Sequence, residues 1–153
     1  MCLSCRKERI LMKSFDDLKK ELKAKNMRLS HQRLKILEYL ADNLIHPTAD
    51  QIYNGLQKDI TTLSKTTVYS TLNALAAAGM VRAIDIEGNE IRYDVNVDNH
   101  GHFKCESCGK IYDFKADIDS IISEDLKGFS IRDKNIYFKG TCPACLSGKS
   151  GKH

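Results

Sequence analysis

Two cysteine pairs, Cys105-x-x-Cys108 and Cys142-x-x-Cys145, stand 33 residues apart and bracket one stretch of the chain. Thiolates at this spacing ride on tight turns, and two such turns brought together present four sulfurs as a tetrahedron, the arrangement of a structural zinc site. Gly109 follows the first pair and Pro143 lies within the second, both suited to tight turns. Four buried cysteines with no metal would require two such pairs by coincidence. Whatever fold the chain adopts must therefore close residues 105–108 against residues 142–145. Four sulfurs fill the coordination sphere, so the site is architectural rather than catalytic. A third pair, Cys2 and Cys5, has no partner pair and lies in a charged segment ahead of Met12, a plausible alternative start. It reads as incidental to a disordered extension over residues 1–12.

The chain has 153 residues, 42% hydrophobic and 29% charged, which suits one ordinary globular domain or two small ones. No apolar run approaches the roughly 18 residues a membrane span needs. The start, "MCLSCRKERILMK", lacks the apolar core and cleavage site of a signal peptide. A cytoplasmic protein with no membrane partner is the expectation. The net charge of +4 is uneven, basic over residues 1–83 and mildly acidic over residues 84–153. That split points to two jobs, and it permits nucleic-acid binding without establishing it.

Helical periodicity runs through "FDDLKKELKAKN", with Phe15, Leu18 and Leu22 on one face. Ser30 can cap "HQRLKILEYLADN", whose stripe is Leu34, Leu37 and Leu40/Ala41. Thr48 and Gln51 form a capping box for a short third helix. Ser64 can cap "KTTVYSTLNALAAAG", which Gly79 ends. Two strands follow, "MVRAIDI" and "EIRYDVNV", joined by "EGN". Helices followed by a small hairpin are the winged-helix order, a helix-turn-helix variant that places its last helix in the DNA major groove. Beyond residue 98 the pattern becomes strands ("HFKCE", "KIYDF", "FSIRD", "IYFKGT") around one helix, "DIDSIISEDLK". The expected fold is α+β: an N-terminal winged-helix DNA-binding domain over 13–95 and a small α/β domain over 96–146, stapled by zinc. Residues 147–153 have the composition of a disordered tail.

A second ligand set lies in and around "DNHGHFKC". His100 and His102 are two apart and share a strand face, whereas Cys105 is offset by an odd number and points the other way. Two sites back to back follow, unless a bulge intervenes. Asp94, Asp113 and His46 are the candidates to complete the histidine site. Three imidazoles and two carboxylates suit ferrous iron or manganese, and five protein ligands leave one octahedral position for a small molecule.

Together "HPTADQIY", "TTVYSTLNALAAAGMV", "RYDVNVDNHGHFKCESCGKIYDF" and the closing "CPAC" resemble the ferric uptake regulator (Fur) family over roughly residues 15–146. The resemblance implies a homodimeric, cytoplasmic, metal-dependent repressor of palindromic operator DNA, its C-terminal domain serving dimerisation. It implies structural zinc at Cys105, Cys108, Cys142 and Cys145, one ion per subunit. His46, Asp94, His100, His102 and Asp113 match the regulatory iron/manganese set of the peroxide-responsive branch, whose signal is oxidation of histidine ligands. The iron-sensing branch carries a fuller histidine run than Asn99-His100-Gly101-His102, and zinc sensors tend to have cysteine at the position of Asp94. Ser64, Lys65, Thr66, Thr67, Tyr69 and Ser70 become the candidates for DNA contact. Two alternatives stand beside this: a repressor that senses iron or manganese level, and a metal-dependent enzyme. Against the enzyme, the sequence shows no nucleophile–base constellation.

Overall fold

A computed structural model describes residues 13–43, 45–121 and 123–148; Cys2, Cys5, the expected N-terminal extension and the tail beyond 148 lie outside these. The chain forms two compact units. The first runs to Asp85 and includes Ile91–Val97, and the second comprises Ile86–Glu90 and the residues from Asp98 on.

In the first unit four helices precede a hairpin. Helix α1 (Phe15–Ala24) starts at a capping box, with Ser14 accepting from the Asp17 N–H and Asp17 reaching back. It closes in a paired-turn motif with Asn26 at φ 54°, the Met27 N–H donating to Leu22 O and the Asn26 N–H to Lys23 O. Helix α2 (His31–Asp42) is capped by Ser30. Helix α3 (Ala49–Leu56) opens with the reciprocal Thr48/Gln51 box, as the sequence predicts. Helix α4 (Lys65–Ala77) is capped by Ser64 and stopped by Gly79 at φ 67°. The core joins Leu18 and Leu22 of α1 to Ile36, Leu37 and Leu40 of α2, Ile52 of α3, and Leu72 and Leu75 of α4. Each such side chain contributes roughly 1.5–3 kcal/mol by leaving water. One correction concerns α2: Ile36 is fully buried, whereas Leu34 and Ala41 only pack against the core's rim. The stripe is therefore rotated towards Ile36.

The hairpin strands are shorter than the sequence predicts. Strand β1 (Arg82–Ile84) pairs antiparallel with β2 (Arg92–Asp94), Ala83 facing Tyr93. The β2 edge also bridges to Thr48, and the Tyr93 N–H donates to Pro47 O at 3.0 Å. Among the described residues, no helix is long and apolar enough to cross a membrane.

The second unit is a three-stranded sheet ordered β4-β3-β5: β3 (Gly101–Cys105), β4 (Ile111–Phe114) and β5 (Ile136–Gly140). Strand β3 pairs antiparallel with β4 and parallel with β5. Period-two alternation gives this sheet two different faces. Phe103, Tyr112, Phe114 and Phe138 lie on one, with Phe114 and Phe138 stacked at 5.0 Å. His102, Asp113 and Tyr137 lie on the other. Gly101 has to be glycine, because a Cβ there would meet the Phe114 ring at 2.2 Å.

Two expectations fail in this unit. The helix over 117–127 is replaced by two short 3₁₀ turns, Ile118–Ser120 and Glu124–Leu126. Asp117 and Ser123 cause this locally: each side chain accepts a backbone N–H two or three residues on and closes a turn. "FSIRD" forms no strand. β5 occupies the open edge of β3, and residues 129–133 belong to the crossover that parallel pairing demands.

Candidate metal centres and the start of helix α4

The four-cysteine cluster is held by the two ends of the β3–β5 pair. Cys105 ends β3, and Gly109 at φ 73° turns the chain so that its N–H donates to Cys105 O at 2.8 Å. Cys142 is the N-cap of a one-turn helix, α5 (Pro143–Leu146), with Pro143 at its first position. The sulfur of Cys105 lies 3.7 Å from that of Cys145, and that of Cys108 lies 3.9 Å from that of Cys142. A tetrahedron of about 2.3 Å Zn–S bonds has edges of about 3.8 Å. Two of the six sulfur–sulfur edges thus match a zinc tetrahedron, and all four sulfurs lie within 4.8 Å of one another.

Hydrogen bonds favour the thiolate at two of them, Cys105 and Cys142. The Cys142 N–H donates to Cys105 Sγ at 3.3 Å, and this bond first of all pulls the Cys105 thiol down from 9.0 to about 6. The Tyr112 hydroxyl hydrogen-bonds to Cys142 Sγ and is the leading cause of that thiol's lowered pKa; the same contact drives the phenol's pKa up. Sequence reasoning missed Tyr112. It stands on the strand beside the first knuckle and reaches the second, a contact no spacing rule exposes.

The histidine and aspartate candidates form a subset within each unit. In the first, His46 Nε2 lies 3.5 Å from Asp94 Oδ2, both side chains buried. The Asn96 N–H donates to Asp94 Oδ1 at 2.8 Å, turning the other oxygen towards His46. His46 adopts φ 52° immediately before Pro47, and Arg92 Nη1 donates to its carbonyl at 3.2 Å. Strand β2 and the 46–48 segment are thus laced together, and they deliver the imidazole and carboxylate as one corner.

In the second unit His102 faces Asp113 across the β3–β4 ladder. His100 Nε2 and His102 Nε2 each lie 3.6 Å from Asp113 Oδ1, with the two rings 4.4 Å apart. His100 Nδ1 lies 2.7 Å from Asp98 O. A carbonyl only accepts, so Nδ1 carries the proton and Nε2 keeps its lone pair for a ligand. Gaps of 3.5–3.6 Å are long for hydrogen bonds. They are near the roughly 3.0–3.4 Å separating adjacent donors around a cation with bonds of about 2.1 Å. As the alternation requires, His102 and Cys105 serve different clusters of the same strand.

At the start of α4, Ser64, Lys65, Thr66, Tyr69 and Ser70 are exposed and Thr67 is half-buried. Tyr69 is 46% exposed, so it is not a core residue. Ser64 Oγ accepts the Thr67 N–H, and Ser70 Oγ donates to Thr67 O. Lys65 reaches across to Asp50 of α3, a contact the sequence did not reveal.

Comparison with known proteins gives a consistent outcome. The model of the ferric uptake regulator family matches residues 24–139. A peroxide-responsive repressor, PerR, of Staphylococcus aureus is 33% identical over 127 residues, 81% of this chain and 86% of that protein. A solved structure of PerR from Streptococcus pyogenes, described as a basis for peroxide sensing and gene regulation, is 31% identical. It superposes with a TM-score of 0.51 and covers 86% of this chain and 92% of its own. The Helicobacter pylori ferric uptake regulator, described as having three functional metal-binding sites, gives a TM-score of 0.71 at 20% identity, a likeness of fold. It covers 91% of this chain and 98% of that one.

Proposed function

The chain belongs to the ferric uptake regulator family, and from that premise we propose that it is a peroxide-sensing repressor that binds palindromic operator DNA as a homodimer. Cys105, Cys108, Cys142 and Cys145 hold structural zinc. His46, Asp94, His100, His102 and Asp113 share one regulatory cation, ferrous iron or manganese. Three imidazoles and two carboxylates favour those ions over soft-metal sites. Support for the dimer comes from the aromatic sheet face, where Phe138 is 55% exposed, a surface a second copy would cover.

In this reading His46 and Asp94 belong to the DNA-reading unit and the other three ligands to the dimerising unit. One ion held by both subsets fixes the separation of the two recognition helices, which must match the half-sites. Ser64, Lys65, Thr66, Thr67, Tyr69 and Ser70 lie at the DNA surface. A ferrous ion held there would supply reactivity towards peroxide, which acts as a two-electron oxidant. A ring carbon of His46 or His100 exchanges its C–H for a C–O bond, the O–O bond breaks, and the second peroxide oxygen leaves as water. An oxidised ring ligates poorly, so the subsets part and the operator is released.

The observation carrying this reading is the His100/His102/Asp113 cluster, whose His100 tautomer leaves Nε2 ready to ligate, in a chain 33% identical to a peroxide-responsive repressor. The test is mass spectrometry of the iron-loaded protein after dilute peroxide, paired with DNA-binding assays. One added oxygen on a peptide bearing His46 or His100, absent with manganese, is expected. Metal-dependent DNA binding that survives peroxide would mark a sensor of metal level instead.

A further inference from the structure

Lys65 is the first residue of α4 and its only charged one. Its Nζ donates to Asp50 Oδ1 at 3.0 Å and lies 5.7 Å from the ring centroid of Tyr53, both on α3. The other exposed side chains at this end of the helix, Ser64, Thr66, Tyr69 and Ser70, carry no charge at neutral pH. The one ammonium that α4 could offer a phosphate is therefore already engaged by a carboxylate, an oxyanion of similar hydrogen-bonding chemistry. The two side chains are 56% and 49% exposed, so the bridge exchanges partners readily. Asp50 also holds the Lys65 pKa up, keeping the group cationic.

We propose that Asp50 is a built-in competitor for Lys65, holding its ammonium back from the DNA backbone and so weakening sequence-independent attachment. The proposal rests on α4 being the recognition helix. With the carboxylate neutralised, Lys65 is free to contact a phosphate and release a counterion, which shows as a steeper dependence of affinity on salt.

The experiment uses the full-length, zinc- and manganese-loaded protein and a short random-sequence duplex, titrated across a range of salt concentrations. Asp50→Asn should bind about two- to fivefold tighter at low salt. Its log–log salt slope should be steeper by about one. Adding Lys65→Ala should remove both gains. The exchange Asp50→Lys with Lys65→Asp restores the bridge between α3 and α4 with its polarity reversed, and should bind more weakly than the parent because a carboxylate now faces the backbone. An exchange that binds like the parent would reduce the pair to a clamp and overturn the proposal. So would Asp50→Asn with an unchanged slope while the parent binds DNA. Failure of parent and variants alike to bind any duplex would overturn the reading of α4 itself, and this inference with it.

Discussion

His46 combines two demands that conflict. Its imidazole is wanted beside Asp94, and its backbone is left-handed at φ 52°. A residue with a Cβ pays about 1–2 kcal/mol for that conformation. The usual order of substitutions should therefore reverse: His46→Gly should be about 1 kcal/mol more stable than His46→Ala in denaturant melts, although both lose the candidate ligand. Tyr112 offers a second test. Its hydroxyl lends a hydrogen bond to the Cys142 sulfur, and removing it in Tyr112→Phe should speed zinc release by thiol reagents several-fold, read with a chromogenic chelator. A third concerns acidity. Hydrogen bonding, first from the Cys142 N–H, lowers the Cys105 thiol from 9.0 to about 6, so at this sulfur protons compete with a bound metal only as pH falls through about 6. Metal retention against a fixed concentration of chelator should hold near neutral pH and fall as pH drops through about 6, read by metal analysis after gel filtration.

Among elements, α4 shows how much is written locally. Ser64 caps it and Gly79 ends it, with the Met80 N–H donating to Leu75 O and the Gly79 N–H to Ala76 O. Ser64→Ala should cost about 1 kcal/mol of stability, read by thermal melting. Such caps are interactions between residues three or four apart, and three helices of the first unit were legible for that reason; α1 was legible from the spacing of Phe15, Leu18 and Leu22. The second unit was less so. The side chains of Asp117 and Ser123 divert a helical pattern into two turns, and the parallel partner of β3 lies more than thirty residues on. Of the candidate metal ligands, the cysteine spacing and the His-x-His pair were readable at once. The partnerships of Tyr112 and Asp50 were not, because each joins elements whose register is known only after folding.

At the scale of the whole chain, the second unit buries few apolar side chains among its described residues; Cys105, Cys142 and Ile118 are among them. In the proposed reading zinc supplies what that core does not, since structural zinc sites are worth on the order of 10 kcal/mol to folding. Cys142→Ser should lose zinc and dimerisation together, as read by metal analysis and gel filtration; a stable zinc-free dimer would contradict this. The parallel pairing of β3 with β5 also has a consequence during synthesis. Strand β4 follows β3 closely and can pair at once, but the other edge of β3 waits for residues 136–140, and the first two cysteines wait for the last two. At about 5–20 residues per second the delay is roughly two to seven seconds. For that interval the newborn chain presents an open strand edge and two thiols without their partners. The nascent polypeptide is thus most exposed to oxidants in the interval before its four cysteines can meet.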